Sequence, residues 1–207
     1  MVLMTWSRMP GNGMFDKILE FERALAAYTG ARYAVMTDCC THAIELCLRH
    51  DRIAATRFTA FTYLSIPMTM HKLGIEYELI DEDWQGEYAF HGTRIWDSAR
   101  RLEPSMYRPG QLQCLSFGFS KPMATSTGRG GAVLLDDVLT YQCLLKMRYD
   151  GRDLEISPWQ SQREFVLGYH YRPTIEEAQS AMDALIRVQP QSQKVAYPDC
   201  RKITIRS

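Results

Sequence analysis

The sequence predicts an α/β layer protein with a mostly parallel sheet. Short apolar strand-like runs alternate with stretches at helical spacing, and such alternation favours parallel strands joined by crossover helices. No internal repeat or low-complexity tract interrupts the pattern. The 207 residues are 46% hydrophobic, enough for the core of one domain with at most a small appendage.

The elements follow in order. FDKILEFERALAAYTG (15–30) places Phe15, Ile18, Leu19, Glu22, Leu25 and Ala26 at helical spacing and stops at Gly30. YAVMTD (33–38) is a strand, and THAIELCLRH (41–50) resumes the helical period after a tight turn. RIAATRF is strand-like, LSIPMTMHKLG (64–74) is helical with Pro67 tolerated in its first turn, and IEYELID (75–81) is a strand. RIWD (94–97), LQCLSF (112–117) and AVLLD (132–136) are three more strands. DVLTYQCLLKMRYDG is a helix closed by Gly151, and TIEEAQSAMDALIRV is a helix entered through Pro173 and Thr174. The remainder reads as an extended tail, so the expected division is 1–187 for the folded domain and 188–207 for the tail.

Lys+Arg and Asp+Glu both number 24, so no net field draws the chain to nucleic acid or an anionic membrane. The longest uncharged apolar stretch, FTAFTYLSIPMTM, has 13 residues and contains Pro67, too short for a bilayer span. Arg8 and two glycines stand where an export signal needs an apolar run, which leaves the cytoplasm as the expected location. CCTH at 39–42 lacks the spacing of a zinc site, the other four cysteines are scattered, and no metal is expected. The common hydrolase and nucleotide signatures are also absent.

Chemistry in parallel sheets gathers at the carboxyl ends of strands. DCCTHA ends a strand and opens a helix there, so the backbone N–H groups of Cys40 and Thr41 and the Thr41 hydroxyl suit a phosphate. Asp97 ends RIWD, Ser116 and Lys121 flank the end of the next strand, and Tyr63 stands before a helix. Taken singly, Asp97 is a strand-end cap, Tyr63 a core ring, Ser116 a strand residue and Lys121 solvated surface. Together they supply what pyridoxal phosphate requires: a phosphate anchor, a ring surface, a carboxylate for the pyridinium nitrogen and an amine for the aldehyde.

These segments are collinear with those of a known family. FERALAAYTGARYAVMTDCCTHAIELCL resembles its FE…Y-G…A…SSGTxAL segment, with Cys39, Cys40 and Thr41 where the family has Ser, Gly and Thr. FTAFTYLS resembles P-x-F-T-[FW]-x-[AS], WDSAR resembles E-D-A-A-[QH], and LSFGFSKPMATSTGRGGAVLLDD resembles SF-x-x-x-K…G-x-GG-A-[VI]-x-x-x-D. LGYHYRPTIEEAQSAM resembles G-x-N-x-R-x…x-Q-A-A. The chain thus resembles, from about residue 13 to 187, the DegT/DnrJ/StrS-type pyridoxal phosphate-dependent nucleotide-sugar aminotransferases.

The resemblance implies a three-layer αβα fold of the type I pyridoxal phosphate transferases, reduced and with most of the C-terminal domain absent. It makes Lys121 the Schiff-base lysine and proton-transfer base, Asp97 the pyridinium partner, Tyr63 the stacking ring, and Ser116 with Cys40 and Thr41 the phosphate ligands. His170 stands where the family's Asn reaches a neighbouring subunit's cofactor, which implies a homodimer with shared sites. Arg100 replaces the Gln or His near the ring hydroxyl, where a guanidinium serves a phenolate or a substrate carboxylate. Only 15 residues separate Asp81 from Asp97, where the family has a further strand and helix. The implied reaction moves an amino group from a glutamate-like donor to a keto sugar on a nucleotide, with small molecules as partners. The alternative is a catalytically impaired remnant serving as a cofactor-binding or oligomerisation module.

Overall fold

The computed structural model describes residues 16–206; Phe15 and the segment around Arg8 lie outside the described residues. The helices fall where the apolar spacing puts them: α1 (Asp16–Thr29), α2 (Cys40–His50), α3 (Ser65–Leu73), α4 (Val138–Met147) and α5 (Ile175–Ile186). α1 buries Ile18, Phe21, Glu22, Leu25 and Ala26, one continuous stripe. α3 carries Pro67 as its third residue, where no intrahelical N–H bond is lost, and ends at Gly74, whose φ of 66° suits a residue without a Cβ. α5 opens with a capping box, Thr174 and Glu177 exchanging side-chain and backbone bonds of 3.1 and 2.8 Å.

The strands are β1 (Tyr33–Thr37), β2 (Ala55–Thr59), β3 (Glu76–Ile80), β4 (Tyr88–Ala89), β5 (Ile95–Asp97), β6 (Arg101–Leu102), β7 (Leu112–Ser116), β8 (Gly131–Leu135) and β9 (Gln191–Ser192). The main sheet has the order β1-β8-β7-β5-β4. Its pairings correct the expectation of a mostly parallel sheet: only β5 and β7 run parallel, whereas β1–β8, β7–β8 and β4–β5 are antiparallel. The connections explain this. A parallel neighbour needs a crossover, usually a helix, but β7 and β8 are joined by loop 117–130 and β4 and β5 by residues 90–94. β2 and β3 form a parallel pair tied to the rest through an Arg57–His91 bridge.

Every residue of β8 is buried, because both faces are covered. Ala132 and Leu134 pack with Ile18, Phe21 and Ala181 of α1 and α5; Val133 and Leu135 pack with Ala43, Ile44 and Leu144 of α2 and α4. The architecture is therefore three-layered, helices–sheet–helices. At the β1 edge, Met36 finds no further strand among the described residues. Its N–H donates to Glu22 Oε1 at 2.6 Å and its carbonyl accepts from Arg148 Nη1 at 2.6 Å, while Arg148 also pairs with Glu22.

The stretch after α5 is more than a trailing tail. β9 pairs with β6, Gln193 N–H donates to the Arg100 carbonyl at 2.9 Å, and Cys200 N–H donates to the Ala60 carbonyl at 2.9 Å. Residues 191–202 thus run as a strap from the β5–β6 region across to the end of β2. No helix among the described residues is long and apolar enough to cross a membrane.

Candidate active site

A cavity of about 410 Å³ opens where β1, β2, β5 and β7 end. Cys40, Thr41, Tyr63, Asp97, Arg100, Ser116 and Lys121 all line it. Of the residues singled out in the sequence, only His170 stands apart. It is exposed on a separate segment and pairs with Asp150 at 3.0 Å.

The anion-suited part of the cavity is the start of α2. Cys39, the N-cap, is extended and supplies no side-chain cap, so the first N–H groups of the helix stay open where Cys40 and Thr41 meet the cavity. Thr41 Oγ1 and Ser65 Oγ share a hydrogen bond of 2.8 Å, which fixes both hydroxyls at the cavity wall. The helix start lies directly against β8. A Cβ on Gly131 would overlap the backbone of Cys39 and Cys40, so only glycine lets the two segments meet. Cys40 points inward and is buried. Burial, reinforced by Asp97 and opposed by Lys121, raises its thiol pKa well above the usual range, so it is a neutral packing group.

Lys121 sits in loop 117–130, which the antiparallel β7–β8 connection creates. Lys121 N–H donates to the Gly118 carbonyl at 3.0 Å, and the Thr125 hydroxyl bridges the carbonyls of Phe117 and Arg129 at 3.1 and 2.8 Å. The loop is thereby held at both ends. Tyr63 is 62% exposed, which excludes a core role and leaves its ring free for a ligand.

Asp97 is 6% exposed, and burial raises its pKa. Lys121, the Ala99 N–H and the Tyr88 hydroxyl act the other way. Oδ1 accepts the Ala99 N–H at 2.9 Å and Oδ2 accepts the Tyr88 hydroxyl at 2.8 Å. Tyr88 in turn shares 2.6 Å with the Thr62 hydroxyl, which must donate because the Tyr88 proton is committed to Asp97. The local sequence does not announce this relay. Tyr88 lies on β4, a two-residue strand within the shortened stretch between Asp81 and Asp97, and no periodicity marks so short a strand. Trp84 and Tyr197 also line the cavity, their rings stacked at 5.8 Å and 16°.

Beside the α2 start, Asp38 joins Cys39 and His42, with one donor atom from each lying within 4.8 Å of the others. His42 Nδ1 is 2.6 Å from Asp38 Oδ1, and its ring stacks on Tyr171 at 3.7 Å. Burial alone would lower the His42 pKa, but hydrogen bonds and charge from Asp38 and Cys39 outweigh it and raise it to about 9. The folded-state pKa lies above the ordinary 6.5, so the stabilisation is full below about pH 6.5 and is lost as pH rises to about 9. Urea titrations of wild type and His42→Gln are accordingly expected to differ by about 1–3 kcal/mol at pH 6 and to converge by pH 9.5. A pH-independent difference would show that the ion pair contributes nothing.

The comparisons with known proteins follow this geometry. The model of the DegT/DnrJ/EryC1/StrS aminotransferase family matches residues 8–86. No curated protein matches by sequence. Among solved structures, a 3-amino-5-hydroxybenzoic acid (AHBA) synthase superposes with a TM-score of 0.69 at 20% identity, covering 83% of this chain and 56% of that one. AtS13 from Actinomadura melliaura gives 0.70 at 19% identity, with 86% and 60% covered. A mutant GDP-4-keto-6-deoxymannose-3-dehydratase (ColD) with bound GDP-perosamine gives 0.64 at 15% identity, with 84% and 61% covered. The chain thus spans less than two thirds of the length of these structures, and at such identities the likeness is one of fold. By sequence over residues 8–86, and by fold over more than four-fifths of its length, the chain resembles the DegT/DnrJ/EryC1/StrS aminotransferases.

Proposed function

We propose that the chain binds pyridoxal phosphate in this cavity and transfers an amino group from an amino acid to a keto sugar. The observation that carries the reading is the convergence of an open helix start, a buried carboxylate and a lysine, from three separate segments, on one cavity. The cradle fits the phosphate because Cys39 supplies no side-chain cap and leaves the first N–H groups of α2 open to the cavity. The Cys40 and Thr41 N–H groups, with the Ser116 hydroxyl, would hold the phosphate, and the exposed ring of Tyr63 would supply the surface for the cofactor ring. Asp97, its carboxylate oriented by Tyr88 and Ala99, would keep the proton on the ring nitrogen. The Lys121 amine would hold the cofactor by its aldehyde and, once freed by an incoming amino donor, would carry the proton removed from the substrate α-carbon. When bound, the cofactor supplies the electron sink that makes that proton removable.

The fold also serves a dehydratase, so fold alone does not choose the reaction. Retention of Lys121 favours amino transfer. The test is the visible spectrum of the protein with added pyridoxal phosphate, before and after borohydride. A yellow band that borohydride fixes to the chain, and that glutamate bleaches beforehand, is expected; the absence of any band would overturn the reading.

His170 completes the proposal. It is exposed and does not line the cavity of its own chain, which supports the reading that it serves the cavity of a second copy in a homodimer with shared sites. Sedimentation at micromolar concentration is expected to show the dimer, and a monomer there would remove this part. All six cysteines are free thiols, in keeping with a reducing cytoplasm.

A further inference from the structure

Arg100 is 7% exposed, yet it forms no ion pair among the described residues. Its guanidinium is held by neutral oxygens alone. Nε donates to the Tyr197 hydroxyl at 3.0 Å, and Nη1 donates to Gln193 Oε1 at 3.2 Å and to the Ser120 carbonyl. Nη2 has no acceptor among the described residues. Asp97 lies within electrostatic range, but both of its oxygens already accept hydrogen bonds from Tyr88 and Ala99.

Burying a guanidinium without an ion-pair partner is costly, and Nη2, which is not among the buried unpartnered atoms, is the part of it left open to the cavity. Arg100 and Lys121 are the only cations among the residues lining the cavity, and Asp97 is the only acid. The strap fixes the guanidinium in place: Gln193 and Tyr197 come from it, its backbone is bonded to Arg100 and Gly86 at 2.9 Å each, and Tyr197 stacks on Trp84. These rings keep water from one side of the charge and so strengthen whatever it binds.

We propose that the free Nη2 N–H groups of Arg100 receive the carboxylate of a compact amino acid or keto acid, with Tyr197 and Gln193 as the residues that position the guanidinium. This rests on the amino-transfer reading, because an amino acid whose amine is directed to Lys121 must place its carboxylate elsewhere in the same cavity. A phosphate is better served at the open start of α2, whereas the Nη2 N–H groups, the part of the guanidinium that Tyr197, Gln193 and Ser120 leave uncommitted, suit one oxygen of a carboxylate in a charge-assisted bond. The donor substrate is therefore recognised by a residue that replaces the family's Gln or His, with help from a strap that the sequence presents as a tail.

The test is calorimetric titration of the full chain with glutarate, with uncharged glutaramide as control, both without and with pyridoxal phosphate, recording the visible spectrum of each loaded sample. Glutarate is expected to bind in both states, with affinity at least tenfold weaker in Arg100→Gln, less weakened in Arg100→Lys, and about threefold weaker in Tyr197→Phe, while the yellow band survives. Equal glutarate affinity in wild type and Arg100→Gln overturns the proposal, as does wild-type binding no tighter than that of glutaramide. Loss of glutarate binding on loading the cofactor also overturns it, since Arg100 then serves the cofactor's ring oxygen. If Arg100→Gln does not fold, Tyr197→Phe decides, and unchanged affinity there counts against the proposal. Absence of the band in wild type overturns the amino-transfer reading, and the titration of the unloaded chain still decides on Arg100.

Discussion

Lys121→Ala is expected to abolish the borohydride-fixed product and to reduce amino transfer to background, while leaving the fold intact. The reason lies in how the loop is built. Its shape comes from backbone bonds at Gly118 and from the Thr125 hydroxyl, and the Lys121 amine donates no hydrogen bond among the described residues. Unfolding free energy is therefore expected to change by no more than about 0.5 kcal/mol, as for other substitutions that remove no buried contact. The cavity itself will change. The positive charge of Lys121 is the largest influence opposing the burial-raised pKa of Asp97, so without it Asp97 protonates still more readily. Mass analysis of the reduced protein reads the result directly. An adduct that persists in Lys121→Ala would assign the amine to another residue and sink the proposed chemistry.

Arg148→Ala carries the largest expected cost in stability. Glu22 and Arg148 are 3% and 4% exposed, and together they satisfy the outward N–H and carbonyl of Met36 on the β1 edge. Burial pushes the Glu22 pKa up, and Arg148 is the main influence holding it down. Removing the guanidinium strands a buried carboxyl group and an unpaired carbonyl. Breaking such a pair costs about 3–5 kcal/mol. For a chain of this size that corresponds to a Tm lower by roughly 6–20 °C. The double variant Glu22→Met with Arg148→Met is expected to lose less than Arg148→Ala alone, because no charge is left unpartnered. A loss under about 1 kcal/mol for Arg148→Ala, read by urea unfolding, would show that the pair is not structurally important.

Most of the helices and the longer strands are legible because each carries enough residues for a period to show. The stripe of α1 announces the face it buries, and Thr174 with Glu177 announces the start of α5. Strand direction does not follow from the alternation of elements, although its signal is present: LQCLSF and AVLLD are separated by a glycine-rich loop with no helical period, and without a crossover they pair antiparallel. At the site, the residues near strand ends were found because their positions follow from the local sequence. Tyr88, Trp84 and Tyr197 were not found. Their placement depends on contacts between distant segments, such as the stacking of Trp84 on Tyr197, which no local pattern encodes. Glu22 was placed on the correct face, but its partner Arg148 lies 126 positions away.

The strap bears on the order in which the molecule assembles. The α2 start and its glycine support belong to the body of the sheet, whereas the wall carrying Tyr197 depends on bonds such as that between Cys200 and Ala60, which closes a very long loop. Contacts of that span are slow to form, because the entropy of closure is lost before the contact stabilises anything. The α2 start is thus expected to form before the wall that carries Tyr197. Hydrogen exchange at Gln193 and Cys200 should accordingly be faster than at β8, so the strap side of the cavity opens more readily than the helix side.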